Sequence, residues 1–213
     1  MANIKGLLYV VAVLLDVVSS RRTDRPTQHR MLLSAIEDVN ATIPALDPLR
    51  PTVGDEFQAL YPTLGSALTA TIRVRLLAAP HADLRAGIGG GEVRIIDETH
   101  GIQDGTAWWL AREAIGAVEE LAKRPGYRGA RTAVRDGRPV ALPQAEALVR
   151  LTDSALRGLR PGVATTLLGL LDGEDNATTA RRQGISPSAN SQRVANNDLR
   201  VLADAIVALG GLP

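Results

Sequence analysis

The sequence contains no cysteine, and only 3% of its residues are aromatic. Without cysteine the chain can form neither disulfide bonds nor thiolate-ligated zinc sites, which fits a reducing compartment. With so few aromatic residues, the hydrophobic core must be aliphatic. An excess of charge of one sign is also absent, because the sequence has 24 basic and 23 acidic residues. The molecule as a whole therefore gives no electrostatic reason to bind nucleic acid or membranes, and any basic surface has to be local.

A long hydrophobic run is missing as well. The most apolar segment, residues 7–18, contains Asp16 and is shorter than the roughly 20 residues that a membrane span needs. Only Lys5 precedes it as a basic residue, and no small-residue cleavage site follows cleanly, which argues against a signal peptide. Its many valines favour a buried β-strand. We therefore expect a cytoplasmic protein with no membrane partner.

The order of the predicted elements indicates an α/β fold followed by an all-helical segment. Apolar spacing gives the order β-α-β-α-β-α-β-β up to residue 142. The predicted strands are 7–18, 52–61, 84–96 (one strand or a tight strand pair) and a hairpin over 131–142, and the predicted helices are 24–40, 63–78 and 106–123. Pro44 and Pro48 bracket a predicted loop, and 97–105 is a second one. From Pro143 the pattern is helical throughout, so we predict an α/β domain over 1–142 and a helical domain over 143–213.

Two aspartates mark neighbouring predicted strands. Asp16 lies at the carboxyl end of the first strand, and Asp55 lies in a Gly-Asp-Glu turn within the second. If the strands are adjacent, both carboxylates lie near the polar turn 19–22, whose two arginines could neutralise a phosphate. Carboxylate and phosphate oxygens are the ligands that Mg²⁺ prefers. The alternative is that Asp16 only closes a strand and that Asp55 belongs to a tight turn.

Two further features stand out between these segments. The run Gly87–Gly91 lacks the spacing of a phosphate loop and more readily permits close backbone packing or a bulge. Trp108 and Trp109 leave their helix about 100° apart. At least one of them is expected in the core, and the other could stack on a base.

Several segments resemble class III nucleotidyl cyclases. Residues 14–21 resemble the first-strand motif whose aspartate binds metal, and 53–57 resemble the second metal-aspartate motif and also the signature of diguanylate cyclases. Residues 84–93 resemble the Arg-x-Gly-Ile-x-x-Gly-Glu-Val strand of these enzymes. The resemblance implies an α+β, ferredoxin-like sheet with helices, in which Asp16 and Asp55 hold Mg²⁺. It also implies a group of nucleotide or phosphate contacts: Ser19, Ser20, Arg21, Arg85 and Arg112.

The fuller match is to the SatD family. The ordered set Asp16-Val-Val-Ser-Ser-Arg, Gly54-Asp-Glu-Phe-Gln, Arg85-x-Gly-Ile-Gly-x-Gly and Asp104-Gly-Thr-Ala…Ala111-Arg-Glu-Ala is similar to that family. These small bacterial proteins join a cyclase-like domain to a helix-turn-helix. The resemblance covers nearly the whole chain.

The chain departs from a working cyclase at the positions that serve catalysis and base recognition. Trp109 stands at the transition-state Asn position, and Glu113 stands at the Arg position, one residue from Arg112. Pro51 aligns with the purine-recognising Lys, and the corresponding Asp aligns near Ile102. Cyclisation needs donors aimed at charge that develops on phosphoryl oxygens. Ligand binding is therefore favoured, with a Mg²⁺-dependent nucleotide enzyme (a cyclase or phosphohydrolase) as the alternative.

Residues 174–200 carry the signals of a helix-turn-helix. Asn176 is predicted to cap a short helix over 177–183, Gly184 can adopt the left-handed turn, and Ser186 with Pro187 begins the next helix. That helix, for which continuation toward Leu209 is one alternative, carries a predicted exposed face able to read base edges: Ser188, Asn190, Ser191, Gln192, Arg193 and Asn196. Predicted phosphate contacts are Arg181, Arg182 and Arg200. The alternative is a helical unit that serves only dimerisation or packing.

These features together predict a DNA-binding transcriptional regulator whose cyclase-like domain binds a metal-nucleotide or another phosphorylated ligand. A single motif of this size binds DNA weakly, so we expect a homodimer on paired half-sites. The apolar stretch 201–209 could supply its seam.

Overall fold

A computed structural model of the chain describes residues 9–18, 25–52, 54–79, 81–97 and 99–213. Its strands are β1 Val10–Val17, β2 Asp47–Pro51, β3 Phe57–Tyr61, β4 Leu84–Gly91, β5 Arg94–Asp97, β6 Ile102–Asp104 and β7 Thr132–Asp136. Its helices are α1 Arg25–Thr42, α2 Leu64–Ala78, α3 Thr106–Ala122, α4 Ala145–Arg157, α5 Pro161–Leu171, α6 Asn176–Arg182, α7 Pro187–Asn196 and α8 Leu199–Gly210.

A mixed five-stranded sheet in the order β2-β3-β1-β4-β7 forms the centre of the molecule. The central strand β1 is antiparallel to both neighbours, with Leu15 opposite Phe57 and Asp16 opposite Arg85. β4 then runs parallel to β7. The prediction of an α/β fold is confirmed at this level, and the apolar run near the amino terminus forms a buried strand as predicted.

The two faces of the sheet carry different helices. Val11, Val13 and Leu15 belong to the large hydrophobic cluster that includes α1 and α2, whereas Val10, Ala12 and Leu14 pack in a smaller cluster with α3. This division follows from the two-residue period of a strand. Side chains at even positions of β1 therefore face α3, and Asp16 continues that series.

The glycine run forms the interior of β4 and brings α3 against the strand backbone. A Cβ atom at Gly87 would lie 2.3 Å from the Ala111 carbonyl oxygen, and one at Gly89 would lie 2.2 Å from that of Ala107. The helix contributes small residues at the contact, and Ala107, Ala111 and Ala114 are fully buried. The prediction of close backbone packing is confirmed.

Helix α4 covers the free edge of β7. The Glu146 carboxylate accepts a hydrogen bond from the Val134 N–H at 2.7 Å. Buried Asp153 accepts from the Arg131 and Thr132 N–H groups, both at 2.7 Å, and pairs with Arg75 of α2. These carboxylates satisfy the outward N–H groups of an edge strand, which would otherwise be open to another chain.

The last helices pack on α2. Buried residues of α5 and α8 belong to the same hydrophobic cluster as α1 and α2. At the start of α2, the Leu64 N–H donates to the Pro213 carbonyl at 3.0 Å, and a Cβ at Gly65 would lie 2.1 Å from the Gly210 oxygen. The boundary at residue 142 and a separate all-helical domain therefore stay predictions, because the core is continuous between the two parts.

Several predicted elements are wrong. The predicted loop between Pro44 and Pro48 contains the start of β2, which the Asn40 amide holds by two bonds to the Leu49 backbone, at 2.8 and 3.0 Å. Residues 52–61 are not one interrupted strand, because the Gly54-Asp55 turn joins β2 to β3. The segment 84–96 forms two strands, as one of the two predicted alternatives has it, but β4 and β5 lie in different sheets, and β5 pairs with β6 inside the predicted loop 97–105.

The predicted hairpin over 131–142 is also wrong, because these residues, all of which the structure describes, contain β7 and no second strand. After β7 the chain enters a turn over residues 138–140 instead. Arg138 pairs with Asp136 at 2.8 Å and donates to the Pro213 carbonyl at 2.8 Å. Among the described residues, no helix is long and apolar enough to cross a membrane.

Candidate functional site

The acidic edge predicted from the two aspartates lies where β1 ends and β3 begins. The Leu15–Phe57 register puts the end of β1 beside the turn that carries Asp55. Arg85 donates two hydrogen bonds to the Asp16 carboxylate, at 2.9 and 2.8 Å, and forms an ion pair with Glu119 of α3 at 3.2 Å. The hydrogen bond to Asp16 raises the pKa of Arg85 above its ordinary value. Both carboxylate oxygens of Asp16 are therefore engaged.

Asp55 lines a cavity on the opposite side of the sheet. This cavity of about 290 Å³ includes Arg25, Gln28 and His29 of α1. The two aspartates share one edge of the sheet but lie in different surroundings. In this arrangement the pair does not fit a two-carboxylate Mg²⁺ site, since Asp16 would have to release Arg85. Among the described residues, no group of three or more potential metal ligands is found.

The sequence predicts that Asp55 lies beside Asp16. If the Leu15–Phe57 register is extended by one residue, Glu56 lies opposite Asp16 instead. Its carboxylate pairs with Arg112 of α3 through two bonds, at 2.6 and 3.0 Å. The hydrogen bond to Glu56 raises the pKa of Arg112, and the nearby charges of Glu56 and Asp16 add to the effect. We call Asp16, Glu56, Arg85, Arg112 and Glu119 the charged cluster. Ser19, Ser20 and Arg21, the other predicted phosphate contacts, lie outside the described residues.

A cavity of about 490 Å³ adjoins the charged cluster on the α3 side. We call it the tryptophan cavity; it is lined by Leu14, Gln58, Gln103, Trp108, Trp109 and Arg112. Trp108 is half-buried and packs on the smaller hydrophobic cluster, while Trp109 is 61% exposed. This arrangement agrees with the prediction that at least one of the two rings packs in the core.

The predicted helix-turn-helix corresponds to α6, a turn and α7. Gly184 adopts a φ of 64°, in the left-handed region, and the Ser186 side chain accepts from the Ala189 N–H at 3.1 Å as the cap of α7. Both features are as predicted. The cap of α6 is Asp175 rather than Asn176, because the Asp175 carboxylate accepts from the Thr178 N–H at 2.8 Å. α7 does not continue to Leu209, since Asp198 takes a left-handed φ of 48° before α8.

A buried polar network holds this unit together. Asn190 is 3% exposed, and its amide bonds to the Thr166 hydroxyl at 2.7 Å and the Asn176 side chain at 2.9 Å. Arg193 donates to the Gln183 side chain at 2.8 Å and the Gly162 carbonyl at 3.2 Å. The placement of Asn190 and Arg193 on an exposed reading face is therefore wrong. Both side chains bond to α5, α6 and the turn instead.

The remaining predicted contacts are exposed. The outward side of α7 carries uncharged polar groups: Ser188, Ser191, Gln192 and Asn196. Arg181 and Arg200 are exposed on the flanking helices, while Arg182 pairs with Glu174 at 3.1 Å. We call the four α7 residues with Arg181 and Arg200 the α7 surface.

The stretch 201–209 divides between core and surface. Ala203, Ile206 and Leu209 are buried, whereas Val201 is 70% exposed. Val201 lines an apolar groove of about 800 Å³ between α4 and α8, together with Leu148 and Leu151. Only the outward half of the predicted seam is thus available to a partner.

Comparison with known proteins adds a family. The solved structures that match the chain include the following two. A bacterial light-regulated adenylyl cyclase shares 11% identity over 54% of this chain, with a TM-score of 0.40, and the chain spans 41% of that protein's length. A regulator of polyketide synthase expression from Bifidobacterium adolescentis shares 16% identity over 95% of this chain and 85% of its own, with a TM-score of 0.28. No curated protein matches the sequence. The sequence model of the SatD family matches residues 9–137, and the chain belongs to this family.

Proposed function

We propose that the protein is a DNA-binding transcriptional regulator that contacts duplex DNA through the α7 surface, while its α/β part binds a phosphorylated ligand. The observation that carries the proposal is the division of α7 into two sides. Its inward side is fixed by the buried polar network, and its outward side offers amide and hydroxyl groups with no acidic residue anywhere in the helix. A rigid helix with such an outward side suits reading of base edges in the major groove.

The chemistry of the α7 surface supports distinct roles for its members. Gln192 and Asn196 have amides that can pair with the two hydrogen-bonding groups of an adenine edge. Arg181 and Arg200 lie on flanking helices and suit phosphate contacts, which position a protein without selecting sequence. Buried Asn190 fixes the helix and contributes no contact of its own.

A homodimer suits this mode of binding. Paired recognition helices read half-sites about 34 Å apart and thereby gain affinity that one small motif lacks. The groove between α4 and α8 is lined by exposed Leu148, Leu151 and Val201, and α8 follows α7 directly in the chain. We propose that a second copy covers this groove, so that the dimer seam sets the spacing of the two α7 surfaces.

The DNA-binding proposal is tested with purified full-length protein and a fluorescently labelled duplex library of random sequence. Duplexes retained at low salt are amplified and reselected, and anisotropy then measures affinity for the enriched sequence and for random duplex. Arg181→Ala should weaken both affinities alike and lower the salt dependence by about one released counterion. If no duplex is retained at low salt, the proposal fails.

The dimer is tested by light scattering on the eluting protein. Val201→Glu should shift the mass from two copies to one, because it puts a charge into the apolar groove. Val207→Glu is the matched control, since Val207 is a 66% exposed valine of the same helix outside the groove. A wild-type mass of one copy at high protein concentration would contradict the dimer.

A further inference from the structure

Two residues that line the tryptophan cavity each have a buried polar atom with no partner among the described residues: the Trp108 Nε1 donor and the Gln103 Oε1 acceptor. The amide of Gln103 is held in place, because its Nε2 donates to Asp47 at 3.2 Å. A buried donor or acceptor that stays unpaired destabilises the folded protein, so a ligand that supplies its partner is favoured. Because both residues line the same cavity, a small turn of the two side chains would expose one donor and one acceptor to a ligand edge that offers the complementary pair.

The exposed wall of the cavity suits a flat ring. Trp109 is 61% exposed, yet its ring is not free to turn, because Nε1 donates to Asp104 at 2.8 Å. An aromatic face fixed in this way is a platform on which a nucleobase can stack. Leu14 of β1 lines the same cavity from the sheet.

The mouth of the cavity carries charge of both signs. Arg112 lines the cavity, and its bonds to Glu56 use only Nη1 and Nη2, so Nε remains to bind an anion. The charged cluster contains three carboxylates against two guanidinium groups. This balance suits a small anionic substituent at Arg112 and opposes a long polyphosphate.

We propose that the tryptophan cavity binds a purine nucleoside monophosphate, with the base stacked on Trp109, its edge paired to Trp108 and Gln103, and the phosphate at Arg112. The adenine edge offers the required pair, an acceptor at N7 beside a donor at N6. The inference deepens the proposed function, on which it rests, by giving the phosphorylated ligand a class and a place.

Intrinsic fluorescence reads this site directly, because the chain has two tryptophans and both line the cavity. Titration of the wild type with AMP and with GMP should give saturable quenching by at least one of them. Ribose 5-phosphate and CMP should quench weakly or not at all, and ATP should bind less tightly than AMP. Absence of saturable quenching by either purine monophosphate, equal quenching by ribose 5-phosphate, or tighter binding of ATP would overturn the assignment.

Trp108→Phe separates ligand recognition from folding, with calorimetry as the binding readout. The change removes an unpaired donor and keeps an aromatic ring, so the melting temperature should stay the same or rise while affinity for the monophosphate falls tenfold or more. Ile96→Ala, on the exposed β5 arm outside the cavity, should leave binding unchanged. Wild-type affinity in Trp108→Phe would overturn the pairing. DNA retention is measured without nucleotide, so it can fail alone and the two proposals remain distinguishable.

Discussion

Two helix contacts in this molecule are built in opposite ways. α3 lies on β4 through glycine and alanine, with backbone almost touching backbone. α7 lies against α5 and α6 through amides, a hydroxyl and a guanidinium group, with Asn190 at the centre. The first contact depends on the absence of side-chain volume. The second depends on polar groups that all find partners, and such a network loses stability when one member is removed.

The comparison explains why the two regions suit different tasks. A close apolar contact fixes α3, the helix that carries Trp108, Trp109 and Arg112, at a set distance from the sheet. The polar network fixes the rotation of α7 about its axis, because each hydrogen bond has a direction. It thereby decides which α7 side chains face outward.

The glycine contact should show the largest effect on stability. In Gly89→Ala the added carbon would meet the backbone of α3 at 2.2 and 2.3 Å, and backbone cannot move aside as a side chain can. We expect a loss of about 3 kcal/mol in the free energy of unfolding, measured by urea denaturation. Gly116→Ala, in the middle of α3 with nothing within 4 Å, should instead gain about 0.5–1 kcal/mol. Equal effects of the two changes would show that α3 does not lie on β4 as described.

The polar network should come next. Asn190→Ala leaves Thr166 and Asn176 without their partner in a buried place, so we expect a loss of about 2 kcal/mol in stability. Ser191→Ala, one residue further on the exposed side, should change stability by less than about 0.5 kcal/mol. The same denaturation experiment measures both variants. If Asn190→Ala leaves the free energy of unfolding unchanged, Asn190 does not lie in a buried network.

The cap of α7 should have a smaller effect. Ser186→Ala removes the acceptor for the Ala189 N–H and should lower stability by about 1 kcal/mol. Ser188→Ala is the control, because Ser188 is exposed within the same helix. Thermal melting, followed by circular dichroism, checks both variants. Ser188→Ala should keep the wild-type melting temperature, whereas Ser186→Ala should lower it.

Tyr61 should give the smallest effect at neutral pH. Burial raises the pKa of Tyr61 above its ordinary value, and its hydroxyl has no partner among the described residues. Tyr61→Phe should therefore be neutral or stabilise by up to about 1 kcal/mol at pH 7. The folded state keeps the phenol protonated where the unfolded chain ionises it, so wild-type stability should fall as the pH rises above about 10. Tyr61→Phe should lose less stability there than the control Tyr127→Phe, an exposed position.

The sequence predicted the features that depend on local chemistry. The valines near the amino terminus indicated β1, and Gly184 with Ser186 indicated the turn and cap before α7. The close packing at Gly87–Gly91 was foreseen for the same reason, because glycine has no side chain to separate two backbones. Each of these signals is contained within a few neighbouring residues.

Features that depend on distant partners were missed. In the sequence, Asn190 looks like a surface residue, because its partner Thr166 belongs to a different helix, α5. The start of β2 falls in the loop predicted between Pro44 and Pro48, since the Asn40 amide that holds this strand comes from α1. The sequence predicted that Asp16 and Asp55 lie at one edge of the sheet. The face of the sheet depends on the strand register, which puts Glu56 on the same face as Asp16.

The most direct test of the central claim, that α7 has a buried structural side and an outward reading side, is the affinity ratio between the enriched duplex and random duplex. The wild type should prefer the enriched duplex by about 10³ or more. Gln192→Ala should keep the wild-type melting temperature and random-duplex affinity while this ratio falls about tenfold or more. An unchanged ratio in Gln192→Ala, or a wild-type ratio near one, would contradict the account.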